Sequence, residues 1–540
     1  MRILTLLFSI SCVLLNAQTF SRQDTLKGSN TEFRDFWDVK KYDIVVKPSF
    51  DTKSVEGQNT ITFEVTKERK NTTLQIDLES PMNYKLLTHN LGEISEKREG
   101  NFLFLSPKVP LKKGQRYSLT LGYSGHPKIA KKAPWDGGWV FAKDEKGRPF
   151  MSVAQEGEGP SLWLPVKDQW LDEPDEGMSM EILTQNDLVG VGNGRLVSKT
   201  KKGELTSYLW EVKNPINGYS MVPSVGHYVH FGETYQGEKG PLDLDYWVLD
   251  YNLAKAKKQF TQVKPMMKAF EYWFGPYPFY EDSYKLVETP YLGMEHQSNV
   301  AYGNNYENGY LGRDLSQTGV GLKWDFIIIH ETGHEWFANN ITAREKADMW
   351  IHEAFTSYSE TLFTENYLDP DSADRYQVGT RHAIRNDKPI IGYYGVGVSG
   401  SGDMYYKGAS MLHTIREAVN DDTKFRCMLR ALNKTFYHQM VSSAQIENEM
   451  SKILNMDLSP VFDQYLRGVK VPKLELVHSA QKGTLEFRFQ NTVENFSLPI
   501  HLNKNRTITP TARWQSIKLS NGETFEVSPN YYFEVELKTS

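Results

Sequence analysis

His330, Glu331 and His334 lie in the run from Phe326 to Phe337, FIIIHETGHEWF, and their spacing is that of a metal site. Histidines four apart on a helix share one face, so both imidazoles can reach a single ion. Glu331, directly after the first histidine, is placed to take a proton from a water on that ion. Three isoleucines before the motif and Trp336 and Phe337 after it suit a helix buried in a core. A further glutamate, Glu353, follows nineteen residues after His334. That distance allows a helix end, a connection and a second helix that returns the carboxylate to the metal. His330, His334 and Glu353 then make the two-histidine, one-glutamate set of a catalytic site for one Zn2+ ion, with a fourth position open. Adjacent residues diverge by about 100° on a helix, so His352 is expected to pack beside the site rather than to ligate.

A second cluster lies about thirty-five residues upstream: Leu292-Gly-Met-Glu295-His296, after the strand-like Tyr284 to Glu288. An extended Gly293-Met294-Glu295 segment can run along a peptide as an edge strand and aim one carboxylate at its end. The α-ammonium of a free N-terminus, largely protonated at neutral pH, is the group such a carboxylate would pair with.

These strings together resemble the zinc aminopeptidases that include aminopeptidase N and leukotriene hydrolase, in the gluzincin clan. The marks are Gly293-Met294-Glu295, His330-Glu-Thr-Gly-His334 with Glu353, and Tyr405-Tyr-Lys-Gly408, echoed by Phe274-Gly-Pro-Tyr-Pro-Phe279 and Trp336-Phe-Ala-Asn339. The resemblance implies zinc ligands at His330, His334 and Glu353 and a general base at Glu331. It implies an oxyanion-stabilising hydroxyl at Tyr405 and an amine anchor at Glu295. Glu156, in Gln155-Glu156-Gly157, stands where the family's N-terminal domain delivers a second acidic anchor; a surface acidic loop is the competing reading. Met294 either lines the pocket for the first substrate residue or simply packs. Leu292, His296, His352 and Ala354 depart from the family pattern, at positions that are not metal ligands.

The elements that must position these residues change texture twice. Short alternating runs, such as Tyr42 to Lys47 and Asn59 to Val65, predict β structure up to about Tyr235. Helical periodicity takes over in Ala254 to Phe274 and Gly408 to Leu432, and alternation returns after Pro472. The expected architecture is multidomain α+β. A saddle-like N-terminal β-sheet domain (18–236) precedes a thermolysin-like α/β catalytic domain (237–470) and a small C-terminal β-sandwich (471–540). Larger relatives carry a further C-terminal helical domain over the active site; its absence from this sequence predicts a more open cleft.

The N-terminus, Met1 to Ala17, reads as a secretory signal with one basic residue and a short apolar run, too short to span a membrane. The expectation is a periplasmic or secreted protein; a lipid-modified Cys12 is the minor alternative. Without Cys12 only Cys427 remains, so no intramolecular disulfide can form. A net charge of −5 without a long basic run argues against a nucleic-acid partner. The partner expected is a peptide with a free N-terminus, and no motif speaks to oligomeric state. An endopeptidase of the thermolysin type and a silent peptide-binding relative are the rival functions. Glu295 weighs against the first, and intact Glu331 and Tyr405 weigh against the second.

Overall fold

The structure is a computed structural model that describes residues 19–503, 506–520 and 522–539, so the expected signal segment lies outside the described residues. The N-terminal part is built on a seven-stranded sheet whose central strands are Trp37–Ser49 and Ser54–Val65. Alternate residues of the first strand (Tyr42, Ile44 and Val46) enter the core, as period-two patterning requires. Four- and three-stranded sheets complete this part, and its apolar cluster runs from Phe36 to Leu249 and takes in Val287.

A five-stranded sheet carries the catalytic region. It runs in order from Tyr228–Gly237 through Gly240–Leu249, Tyr284–Glu288 and Val300–Tyr302 to Gly293–Met294 at the edge. The expected boundary at 236/237 falls at the turn of a hairpin, both strands of which belong to this sheet.

Helices pack behind it. Trp350–Tyr367 is the central one, buried nearly all round, and it touches Val263–Phe274, Phe326–Gly333, Pro370–Thr380 and Tyr406–Val419. Two glycines set how closely these helices approach. A Cβ at Gly333 would stand 2.5 Å from Ser359 Oγ, and one at Gly408 would stand 2.5 Å from the Ala354 Cβ.

The helical run read as Ala254 to Phe274 is two helices, Leu253–Gln259 and Val263–Phe274, joined by a 3-10 turn at Phe260–Gln262. Pro265 is the physical reason, because it has no N–H to donate to the Thr261 carbonyl. After Pro472 a four-stranded sheet and a two-stranded sheet share one apolar cluster that includes Phe487, Phe496 and Ile500. That cluster is continuous with the core of the helices, so the C-terminal β domain is seated on the catalytic region. No helix among the described residues is long and apolar enough to cross a membrane.

Candidate metal centre

Asp325 starts the histidine helix. Its carboxylate accepts from the backbone N–H groups of Ile327 (3.1 Å) and Ile328 (3.3 Å), capping Phe326–Gly333. His330 sits in the last turn, and His334 is the residue immediately after the helix, still in right-handed helical conformation. The chain then turns through Trp336 and Phe337 into the short strand Ile341–Ala343, which leads back to the helix bearing Glu353.

His330, His334 and Glu353 are buried and offer donor atoms that lie within 4.8 Å of one another. Glu353 Oε2 stands 3.7 Å from His330 Nε2 and 3.5 Å from His334 Nε2, and it has no hydrogen-bond partner. Ligand atoms bound at zinc distances and tetrahedral angles stand about 3.3 Å apart.

The far side of each ring is already committed. His330 Nδ1 is 2.6 Å from Glu360 Oε1, and His334 Nδ1 is 3.1 Å from the Phe337 carbonyl and 3.1 Å from Thr356 Oγ1. A carbonyl only accepts, so His334 Nδ1 carries the proton and Nε2 presents its lone pair. An orphaned carboxylate oxygen facing two imidazole lone pairs fits a zinc ion. Glu295, Glu331 and His334 also converge within 4.8 Å, but that set holds only one imidazole among two carboxylates and suits zinc less well.

The other sequence-predicted residues gather round this point. Glu331 is buried, and burial pushes its carboxyl up to about 8 despite the opposing His330 imidazole. Gly293 packs against it: a Cβ there would lie 3.0 Å from Glu331 Oε1 and 2.8 Å from Ile327 Cγ2. Tyr405 donates its hydroxyl to Glu353 Oε1 at 2.9 Å, which places it beside the cluster of His330, His334 and Glu353. Met294 is buried with Ala154 and Tyr291 on the edge strand, packed beside the strand that delivers Glu156.

Glu156 and Glu295 meet although they are far apart in sequence. Burial, and then the charges of Glu295 and Glu353, lift the Glu156 carboxyl well above its ordinary range; burial raises Glu295 too, against the His334 imidazole that lowers it. Each keeps one buried oxygen, Oε1, without a partner. Gln155 fixes the turn beneath Glu156 by donating to the carbonyls of Tyr219 (3.1 Å) and Met221 (3.0 Å) and accepting from Trp163 Nε1 (2.8 Å).

His352 is not a ligand: its Nε2 accepts from the Ala343 N–H at 2.8 Å and its ring stacks on Trp170. His296 is likewise buried and neutral, its imidazole pushed down to about 3 by burial.

Residues 259–465 match the peptidase family M1 domain. The M1 domain thus spans the histidine helix, the glutamate helix and Tyr405. Among curated proteins, the chain is similar to a leucyl aminopeptidase of Saccharolobus solfataricus. The identity is 23% over 241 residues, covering 41% of this chain and 30% of that protein. It is similar also to aminopeptidase Ey of Gallus gallus, 28% identical over 152 residues, covering 26% of this chain and 14% of that protein. In these alignments the chain spans well under half the length of either relative.

Among solved structures, an M1 zinc metallopeptidase of Deinococcus radiodurans, determined with a Tyr-Ser-Ala substrate, superposes with a TM-score of 0.68 at 19% identity. It covers 81% of this chain and 95% of that one. This likeness carries the fold: mixed α+β, with an N-terminal β domain ahead of a helical catalytic region.

Three contributors escaped the sequence reading. Glu360 lies seven residues after Glu353, two turns along the same helix face, and that spacing was the available signal. Asn339 Nδ2 donates to the Glu295 carbonyl at 2.8 Å, tying the edge segment to the turn that follows the histidine helix. Thr356 had no local signal at all, since its partner His334 belongs to another element.

Proposed function

We propose that this chain is a zinc aminopeptidase that removes the N-terminal residue from peptides, with one zinc held by His330, His334 and Glu353. The observation that carries this reading is the pair of orphaned, buried carboxylate oxygens of Glu156 and Glu295 beside the three-ligand site. Two acids buried together without a cation are costly, and an α-ammonium satisfies both. A zinc ion held there supplies Lewis acidity, polarising a carbonyl and lowering the pKa of a water to about 7.

The remaining work belongs to the chain's own side chains. Glu156 and Glu295 fix the substrate's amine, so the scissile bond falls one residue inward. The edge strand Gly293–Met294 offers backbone groups to the substrate. Glu331 takes the proton of the attacking water and passes it to the leaving nitrogen. The Tyr405 hydroxyl donates to the oxyanion as the carbonyl becomes tetrahedral. Met294, which packs with Tyr291 and Ala154, forms a wall for the first substrate side chain in this reading. We further propose export through the N-terminal signal, which is tested by the N-terminal mass of the secreted protein.

The deciding assay is hydrolysis of aminoacyl-coumarin amides with free and with acylated amines, before and after chelation. Turnover of free-amine substrates only, lost on chelation and restored by zinc, is the expected result. Cleavage of acylated substrates at comparable rates would transfer the site to the endopeptidases. Glu295→Gln should raise KM for free-amine substrates far more than it lowers kcat.

A further inference from the structure

Glu156 follows the strand Pro149–Ala154 of the N-terminal part, whereas Glu295 follows the edge strand Gly293–Met294 of the catalytic region. The spacing of the two acids therefore depends on what holds the Glu156 turn across that boundary. On its own side the turn is closed by the Gly159 N–H, which donates to the Gln155 carbonyl at 2.6 Å. Glu158, two residues on from Glu156, is paired with Lys128 at 2.5 Å. From the catalytic region Lys346 reaches the same turn, and its Nζ donates to the Gly157 carbonyl.

Lys346 stands on a firm base. It opens the 3-10 turn Lys346–Asp348, which runs directly into Trp350–Tyr367, the helix of Glu353. The Met349 N–H donates to the Lys346 carbonyl at 3.2 Å, and the Gly392 N–H donates to the Ala347 carbonyl at 3.0 Å. The Asp348 carboxylate accepts from the Tyr394 hydroxyl at 2.6 Å. The Lys346 ammonium also lies 5.8 Å over the Trp170 ring, on which His352 stacks at 4.9 Å. His352 directly precedes Glu353 in the chain. Lys346, Trp170 and His352 thus bridge the Glu156 turn to the helix that carries Glu353.

The choice of a carbonyl as partner has a physical consequence. Glu156 and Glu295 repel each other when both are ionised, and burial strengthens that repulsion. A lysine paired with either carboxylate would compete with the substrate's ammonium for it. Lys346 forms no ion pair among the described residues; it grips the backbone one residue from Glu156 instead. The turn is held against the repulsion while both carboxylates stay open to a cation, which is preorganisation for binding.

We propose that Lys346 is a positioning residue for the substrate's amine, holding Glu156 opposite Glu295 through the Gly157 carbonyl. The role rests on the aminopeptidase reading above and adds to it a group that touches no substrate atom.

The test measures inhibition constants of leucine hydroxamate and of its des-amino analogue on the zinc-loaded protein. Wild type should prefer the amine-bearing inhibitor. Lys346→Met keeps an apolar stem over Trp170, so the fold should persist, with zinc content and Tm as the check. That variant should cut the preference by about 3- to 10-fold, as for a partly exposed hydrogen bond to a charged group, and should weaken the amine-bearing inhibitor alone. A bystander ammonium predicts the opposite sign, because removing a positive charge near an amine site improves binding of the amine. A preference that is unchanged or raised in Lys346→Met overturns the proposal, and so does equal weakening of both inhibitors. In a Glu156→Gln background the lysine substitution should lower the preference by less than about twofold, since the two residues act through one another. The same fold-change in both backgrounds would also overturn it. If wild type itself shows no preference for the amine, the aminopeptidase reading falls and this inference falls with it.

Discussion

Replacing Glu360 by glutamine tests whether the buried carboxylate behind His330 sets zinc affinity. Its two oxygens are engaged, Oε1 with His330 Nδ1 at 2.6 Å and Oε2 by the Tyr376 hydroxyl at 2.6 Å, and the side chain is 1% exposed. Glutamine keeps the shape and one acceptor but removes the charge. With its oxygen toward His330, its NH2 group faces Tyr376, whose hydroxyl must rotate to accept. Hydrogen bonds to charged groups contribute about 1.5–3 kcal/mol and neutral ones about 0.5–1.5 kcal/mol, so the exchange weakens the hold on His330 by roughly 1–2 kcal/mol. The imidazole becomes a poorer donor to the metal, and zinc affinity should fall by about 10- to 100-fold. The measurement is competition of the zinc-free protein against a chromophoric chelator, with calorimetry of the apo and zinc-loaded forms. Apo stability should fall by about the 1–2 kcal/mol of the weakened hydrogen bond, and the gap in Tm between the two forms should shrink as well, because bound metal stabilises in proportion to the logarithm of its affinity. A zinc Kd within about twofold of wild type would refute the reasoning, since tenfold is the smallest loss expected when such a partner is removed.

Tyr405→Phe should retain zinc and leave KM nearly unchanged while kcat drops by about 10²- to 10³-fold, the range for loss of one oxyanion donor; steady-state kinetics with metal analysis checks it. Gly408→Ala forces a methyl into the 2.5 Å gap to the Ala354 Cβ, beside Glu353. It should cost about 1–3 kcal/mol in denaturant unfolding and lower kcat by displacing Tyr405, whereas Gly402→Ala, with open space around its Cβ, should do neither. Glu173, held by Thr342 Oγ1 at 2.7 Å, is pushed up to about 7, chiefly by burial. The folded state then binds the extra proton between pH 4.5 and about 7, so this group's contribution to stability is present at low pH and is lost as the pH rises through that window. Glu173→Gln should flatten that slope by up to about 3 kcal/mol, read as the difference between wild-type and variant unfolding free energies across pH 5 to about 8.

The convergence of His330 and His334 was legible in the chain because their relation is local. A four-residue spacing puts His330 and His334 one turn apart whatever the rest of the protein does, and the flanking isoleucines and aromatics mark the helix as buried. The edge strand at Gly293–Met294 was legible for a similar reason, as a short extended segment after an apolar run. The break at Phe260–Gln262 was missed because apolar periodicity continues through it, while the hydrogen-bond ladder does not survive Pro265.

Types and spacings along the chain determined that His330, Glu331 and His334 sit together within about one helical turn and where β texture gives way to helical texture, since these depend on local backbone geometry. Only tertiary structure decided which distant groups share the site. Glu156 meets Glu295 because a strand of the N-terminal part ends where the catalytic edge strand passes. Glu360 reaches His330 because Gly333 and Gly408 let helices pack closely around the one that carries Glu353. Such meetings arise from the packing of whole elements, and no residue spacing encodes them.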